Sequence, residues 1–325
     1  MKYQPPYTIT SKIIHLIAQI SENIGRLTIL EEIQDSLKLR KANRIRTIQG
    51  SLAIEGNTLS TEQITAILNG KTVIAPPKEV QEVRNAIKAY EAFQQWQPSQ
   101  EVDLLQAHQI LMTGLIDEVG QYRHGGVGVM SGDRVVHMAP PANQINRLMV
   151  DLLDWLNDSE EHPLIQSSVF HYEFEFIHPF ADGNGRMGRL WQTLILSQWN
   201  PIFANIPVES LIYQNQKAYY EALQASTEQT DSAPFIEFIL QMILDAILSS
   251  NYTAQASVQV SDQVQRLISA LGQDDYTLAE LMQLVGLTHR ATFQKNYLNP
   301  AIDAGLIERS IPDKPKSPKQ RYRLK

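Results

Sequence analysis

Twelve residues of the 325, HPFADGNGRMGR at 178–189, gather a histidine, an acid, an asparagine between two glycines and two arginines directly after an apolar run. The preceding FHYEFEFI reads as a helix, Pro179 disfavours its continuation, and RMGRLWQTLILSQW begins a second helix with an apolar stripe. The DGNG segment is therefore predicted to be a loop entering a helix N-terminus. Two glycines let successive N–H groups turn toward one point, and the helix dipole adds partial positive charge there, which makes an anion nest suited to phosphate. Arg186 and Arg189, three residues apart, both reach an anion above that nest. The dipole ordinarily disfavours arginine at this end of a helix, and a phosphate reverses the sign. Asp182 would repel the same anion unless a divalent cation lay between them, so it is a candidate Mg²⁺ ligand. His178, titrating near neutrality, is suited to taking a proton from an attacking hydroxyl. Base, metal ligand, backbone donors and phosphate clamp together describe phosphoryl or nucleotidyl transfer.

The elements that must hold these residues are mostly helical. Isoleucine and leucine spaced at three and four predict a long amphipathic helix over 11–39, with Ser11 able to cap it, and a second over about 40–55 that stops at Gly56-Asn57. Further helices are expected from Thr61 to Gly70, after Pro76-Pro77, and over 101–118, 143–157, 162–177, 186–199, 214–226 and 233–250. The exception is 120–141, where Val127, Val129, Val135 and Val136 flank a turn-forming SGD and predict a β-hairpin. Two strands alone are not a stable core, so the hairpin reads as a flap beside a site. The polar stretch 251–261 is read as a linker. Beyond it, one helix, a helix–turn–helix pair and two short strands around a basic loop resemble a winged helix, a module that binds nucleic acid in some proteins and docks protein in others.

Composition narrows the classes. A formal net charge of −7 provides no global basic field, so contact with nucleic acid would need a local patch such as Lys314, Lys316, Lys319, Arg321, Arg323 and Lys325. The absence of cysteine excludes disulfides, thiolate nucleophiles and cysteine-bound zinc. No signal core and no run of membrane-span length is read, which makes the cytoplasm the expected location and a membrane partner unexpected.

The pattern HPFxDGNGRxxR is the signature of the Fic family (filamentation induced by cAMP), and His178, Pro179, Phe180, Asp182, Gly183, Asn184, Gly185, Arg186 and Arg189 fill every defining position. The resemblance implies a mainly α fold: a Fic-type helical bundle with a β-hairpin flap, followed by a small winged-helix domain. It divides the chain into an N-terminal helical region, 1–110, with an inhibitory helix at about 40–56; a catalytic core, 111–250, with the flap at about 120–141; a linker, 251–261; and the winged-helix domain, 262–325. It implies transfer of AMP from ATP to a Ser, Thr or Tyr hydroxyl of a protein. His178 would be the base, Phe180 would pack under the loop, and Asp182 would hold Mg²⁺. Gly183, Asn184 and Gly185 would form the anion hole, with Asn184 stabilising charge on the α-phosphate. Arg186 would hold the β-phosphate side and Arg189 the γ-phosphate. The GNGR ending, in place of the NKR of the Doc-type kinase branch, favours nucleotide transfer.

Upstream, SLAIEGN at 51–57 fits the family's inhibitory pattern, in which a glutamate pairs with the second arginine of the motif. Ser51 and Glu55 share a helical face, and a carboxylate in a last turn is disfavoured by the dipole unless paired elsewhere. Related enzymes also use this glutamate to remove AMP. Tyr219 and Tyr220 resemble a tyrosine pair near the family's adenine pocket, while STEQTDSAPF departs from a pattern in which some relatives place an adenine-contacting Asn. Ordinary helix packing explains the tyrosines equally well. His108 and His171 read as packed side chains, and His124 and His137 as polar residues in or near the flap. The partners in view are a target protein, the chain itself as target, a second copy as homodimer, and DNA through the winged helix. An alternative function is a DNA-binding or toxin–antitoxin-like regulator whose Fic site mainly senses nucleotide.

Overall fold

The structure is a computed structural model that describes residues 3–34, 37–126, 128–131, 134–258, 262–271, 275–303, 306–311, 317 and 320–324. It divides into two units, Met1–Leu248 and Ser249–Lys325.

The first unit opens with α1 (Ser11–Gln34) and α2 (Leu37–Ile54). Ile13, Leu16, Ile20 and Ile24 are buried at the spacing that makes α1 one-sided. Its cap is Thr10, one residue earlier than the Ser11 read from sequence: the Thr10 hydroxyl accepts from Ile13 N–H at 3.1 Å. A Ser60/Gln63 capping box starts α3 (Thr61–Leu68), and Pro77 occupies the first turn of α4 (Pro77–Ala92). After α5 (Glu101–Met112) the predicted hairpin appears as antiparallel β1 (Gly128–Ser131) and β2 (Arg134–Met138), with a bulge at Val129/Met130. Gly132 and Asp133 of the expected turn, and the His137 side chain, lie outside the described residues.

The centre of the unit is α7 (Pro163–Ile177) against α8 (Asn184–Trp199), flanked by α6 (Ile145–Asp158). Phe170, Phe174, Phe180, Trp191, Phe235 and Ile239 are fully buried around this pair. Burying a side chain of this size is worth about 1.5–3 kcal/mol, so the motif loop between the two helices is rooted in a fully buried core. Two shorter helices, α9 (Val208–Gln214) and α10 (Gln216–Gln229), precede α11 (Ala233–Val258). The backbones of α2 and α9 approach so closely at Gly50 that a Cβ there would lie 2.6 Å from the Glu209 carbonyl carbon.

Residues 233–250, contrary to the sequence reading, do have the length and apolar composition of a membrane span, yet 61% of that window is buried inside the fold, as befits a core helix. The polar stretch read as a linker is helical as far as Val258, because its Ala, Gln and Ser residues are compatible with helix and contain no breaker.

In the second unit, α12 (Asp262–Ala270), α13 (Leu278–Leu284, opened by a Thr277/Glu280 capping box) and the run α14 (Arg290–Phe293), one π turn and α15 (Asn299–Asp303) precede β3 (Ile307–Arg309) paired with β4 (Tyr322–Leu324). Val264, Leu267, Leu281, Phe293, Leu298, Ala301 and Ile307 form its own core. Lys314, Lys316, Lys319 and Lys325 lie outside the described residues. Arg321 donates to the Asp275 carbonyl at 2.9 Å and Arg323 pairs with Glu308.

Candidate active site

The loop from 178 to 183 is shaped by its own polar groups. At the end of α7, His178 takes left-handed dihedrals (φ 51°, ψ 59°) and its N–H donates to the Phe174 carbonyl at 2.9 Å. Pro179 then prevents a further helical turn. The loop closes through Asn184, whose amide accepts from Phe180 N–H and donates to the Phe180 carbonyl, both at 2.9 Å. Both ends of this buried side chain are thus engaged by the loop. Gly183, at φ +85°, turns the chain into α8, where the first N–H groups have no carbonyl one turn earlier in the helix.

Beneath the loop, Phe180 is fully buried and stacks on His108 with ring centroids 3.7 Å apart and planes within 3°. His108 accepts from Gly120 N–H on Nδ1 and donates from Nε2 to the Asp182 carbonyl, each at 3.0 Å. Gly120 N–H can only donate, so the imidazole is neutral with its proton on Nε2. Burial lowers its pKa to about 4. The Asp182 carboxylate accepts from Gly183 N–H at 2.6 Å and from Arg186 at 3.1 Å, and its side chain is 48% exposed.

Both motif arginines are buried and both meet carboxylates. Arg189, 1% exposed, donates to Glu55 at 2.6 Å, to the Ser51 carbonyl at 3.0 Å and to the Ser51 hydroxyl at 3.2 Å. Burial alone disfavours the cation, and Glu55, followed by Tyr219 and Glu175, reverses that and raises its pKa. The Glu55 carboxylate also lies directly over Gly185: a Cβ on that glycine would collide with Glu55 Oε1 and come within 2.9 Å of Arg189 Nη1. The Glu55 carboxylate, one residue past the end of α2, therefore sits at the N-terminus of α8, in the predicted anion nest. Arg186, 6% exposed, is held between Asp182 and Glu82, the latter at 3.7 Å.

Sequence reading missed two residues here. Arg123 is 3% exposed and donates to the carbonyls of His178, Gly125 and Pro140, each at 2.7 Å, and of Ile177 at 3.3 Å. Its own N–H donates to the Pro179 carbonyl at 2.9 Å. One guanidinium thereby ties both stems of the flap to the motif loop; the only sequence signal was a lone arginine just before the hairpin. Glu82, on α4, carried no signal because its partners are distant in sequence.

The tyrosine pair separates. Tyr219 is 1% exposed, its hydroxyl within 3.1 Å of His171 Nε2 and its ring against Phe235, so it packs in the core. Tyr220, 43% exposed and edge-on to Tyr219, remains able to meet a ligand. His171 is fully buried between Gln192 and Tyr219, as its packed reading implies, and His124 is exposed. Among the described residues no cluster of three metal-binding side chains occurs. The half-exposed Asp182 carboxylate is the donor type that Mg²⁺–nucleotide sites use beside phosphate oxygens and water.

A helical core that presents a left-handed histidine, a glycine-bounded anion nest and two buried arginines on consecutive turns defines a phosphate-handling site at a helix N-terminus. Residues 98–196 match the Fic/DOC family model, and residues 262–325 match the model described as "Filamentation induced by cAMP protein Fic-like, C-terminal domain". A crystal structure of a Fic family protein from Desulfovibrio desulfuricans G20 is 56% identical, covers 99% of this chain and 98% of its own, and superposes with a TM-score of 0.77. The chain belongs to the Fic family. Protein adenylyltransferase Fic of Nematostella vectensis is 30% identical over 233 residues, which are 66% of this chain and 52% of the relative, and that of Aedes aegypti is 29% identical over 249, 68% and 47%. The chain spans about half the length of the curated relatives it matches.

Proposed function

We propose that the chain is a protein adenylyltransferase that moves AMP from ATP to a Ser, Thr or Tyr hydroxyl of a protein, and that Glu55 holds it inactive. The observation that carries this reading is the Glu55 carboxylate over Gly185 and against Arg189, an internal anion in the nest built for a triphosphate. The names of the related proteins point to the same activity.

In the reaction, His178 accepts the proton of the target hydroxyl while that oxygen bonds to the α-phosphorus. The bond from this phosphorus to the oxygen bridging the β-phosphate breaks, and pyrophosphate leaves with its charge against Arg186 and Arg189. The N–H groups at 183–185 receive the charge that develops on the α-phosphate oxygens. Bound at Asp182, Mg²⁺ would neutralise charge on the α- and β-phosphates. With Glu55 on Arg189, the γ-phosphate has no place to settle, so ATP cannot adopt the in-line pose. Removal of AMP from a modified target by way of Glu55 is the reverse activity open to the same site.

The target is a protein, this chain included, and a second copy is the simplest assembly. The C-terminal unit, read as a winged helix, serves as the docking module, and the cytoplasm is the proposed location. Intact-protein mass after incubation with Mg·ATP tests the reading. Glu55→Gly should gain one or more AMP groups, whereas wild type and Glu55→Gly/His178→Ala should not. No gain in any form, with a foreign protein extract also unmodified, would remove the reason to prefer transfer over nucleotide sensing.

A further inference from the structure

Glu82 is part of no motif and lies on α4, outside the helices that carry the site. Its side chain is nonetheless 89% shielded, between two functional segments: Oε1 faces Arg186 Nη1 at 3.7 Å, and Oε2 accepts from the Asn57 amide at 2.9 Å. Asn57 is itself fixed, since its amide also donates to the Glu79 carbonyl at 3.2 Å and its side-chain oxygen accepts from Leu59 N–H at 3.1 Å. Asn57 therefore sets which way the Glu82 carboxylate points, and the oxygen left over is aimed at the guanidinium.

The other partner of Arg186 is Asp182, the carboxylate assigned to Mg²⁺ in the reading above, on which this inference rests. Asp182 meets Arg186 and Gly183 N–H through the same oxygen, Oδ1. A Mg²⁺ ion on this carboxylate would compete with the guanidinium for its charge and weaken the Arg186–Asp182 pair, whereas Glu82, which is not assigned to the metal, would still face Arg186. A buried arginine with no fixed carboxylate partner would be free to sample several rotamers and would deliver its charge to a phosphate at a cost in ordering. Arg186 Nε has no protein partner among the described residues, so the side chain keeps donor capacity while Glu82 faces one of its terminal nitrogens at ion-pair distance.

We propose that Glu82, oriented by Asn57, is a positioning residue that keeps Arg186 aimed at the β-phosphate when the charge of Asp182 is shared with the metal. It acts through Arg186 and touches no reacting atom. Because Asn57 directly follows the Glu55-Gly56 step, the α4 carboxylate and the inhibitory segment are joined by one hydrogen bond, although the two glutamates serve different arginines.

The test reads nucleotide binding, with no transfer required. ADP and AMP, each with Mg²⁺, are titrated calorimetrically into Glu55→Gly, Glu55→Gly/Glu82→Gln and Glu55→Gly/Asn57→Ala. Losing one oriented, charge-assisted contact should weaken ADP binding about ten-fold in the Glu82→Gln protein. AMP, which has no β-phosphate, should bind within two-fold of the parent. Asn57→Ala should show the same ADP-selective loss with smaller size, and it supplies the test if Glu82→Gln fails to fold. Equal losses for ADP and AMP, or a loss for neither, overturn the proposal. If ADP selectivity behaves as expected but no AMP is transferred to any protein, the adenylyltransferase reading fails and this one stands. If Glu55→Gly binds neither nucleotide, both fail.

Discussion

His108 shows how a residue remote from the chemistry can set it. Its Nδ1 faces Gly120 N–H and its Nε2 faces the Asp182 carbonyl, so a second ring proton would place two donors head to head. The folded state therefore requires the neutral ring, and burial lowers its pKa to about 4 from the ordinary imidazole value of 6.5. The sign follows: the stability tied to neutral His108 is complete above pH 6.5 and is lost as pH falls toward 4, because the unfolded chain binds that proton first. Urea titrations across this window should show that His108→Gln removes a dependence of up to about 1.4 kcal/mol per pH unit, the slope of one linked proton. An unchanged slope would mean that another group carries the acid sensitivity. Because His108 also stacks on Phe180, loosening it should disturb the loop before the rest of the bundle.

At the level of elements, inhibition depends on how tightly α2 lies against its neighbours. Gly50 admits the α9 backbone, the Ser210 hydroxyl donates to the Arg46 carbonyl at 2.9 Å, and Gln216 donates to the Ile54 carbonyl at 2.8 Å. Those contacts place Ser51 and Glu55 on Arg189. Gly50→Ala puts a methyl group 2.6 Å from the Glu209 carbonyl carbon, backbone that cannot rotate away, so the two helices must separate. The expected result is basal self-adenylylation raised toward the Glu55→Gly level with Glu55 still present, together with a loss of about 1–3 kcal/mol in stability. Loss of stability with no rise in transfer would show that Glu55 follows Arg189 independently of α2. The helix on the other side of this contact, α9, has seven residues, too short for its periodicity to stand out from the surrounding loop.

At the scale of the whole molecule, charge is unevenly divided. Residues 262–325 contain ten Lys and Arg against seven Asp and Glu, in a chain whose formal net charge is −7. A modest local excess favours weak, salt-sensitive contact with nucleic acid over tight recognition, and two of the arginines are already engaged with Glu308 and the Asp275 carbonyl. The full chain should bind a duplex only at low salt, losing about ten- to a hundred-fold in affinity between 50 and 200 mM, and Lys314→Ala/Lys316→Ala/Lys319→Ala should abolish it. Fluorescence anisotropy decides this; tight, salt-resistant binding would favour the regulator reading.

The reactive loop was legible in sequence because its requirements are local. Gly183 for a turn, Pro179 to stop a helix and a histidine beside an anion nest act over a few residues, so spacing alone encodes them. The pairing of Glu55 with Arg189 was legible only through family resemblance, since 134 residues separate the partners. What tertiary structure decided was which polar groups remain available. It engaged the Asn184 side chain with the loop, turned Tyr219 into the core, bound the flap to the loop through Arg123 and brought Glu82 to Arg186. Each of these depends on burial and on partners supplied by other helices, and a buried polar group takes whichever partner the packing brings within reach.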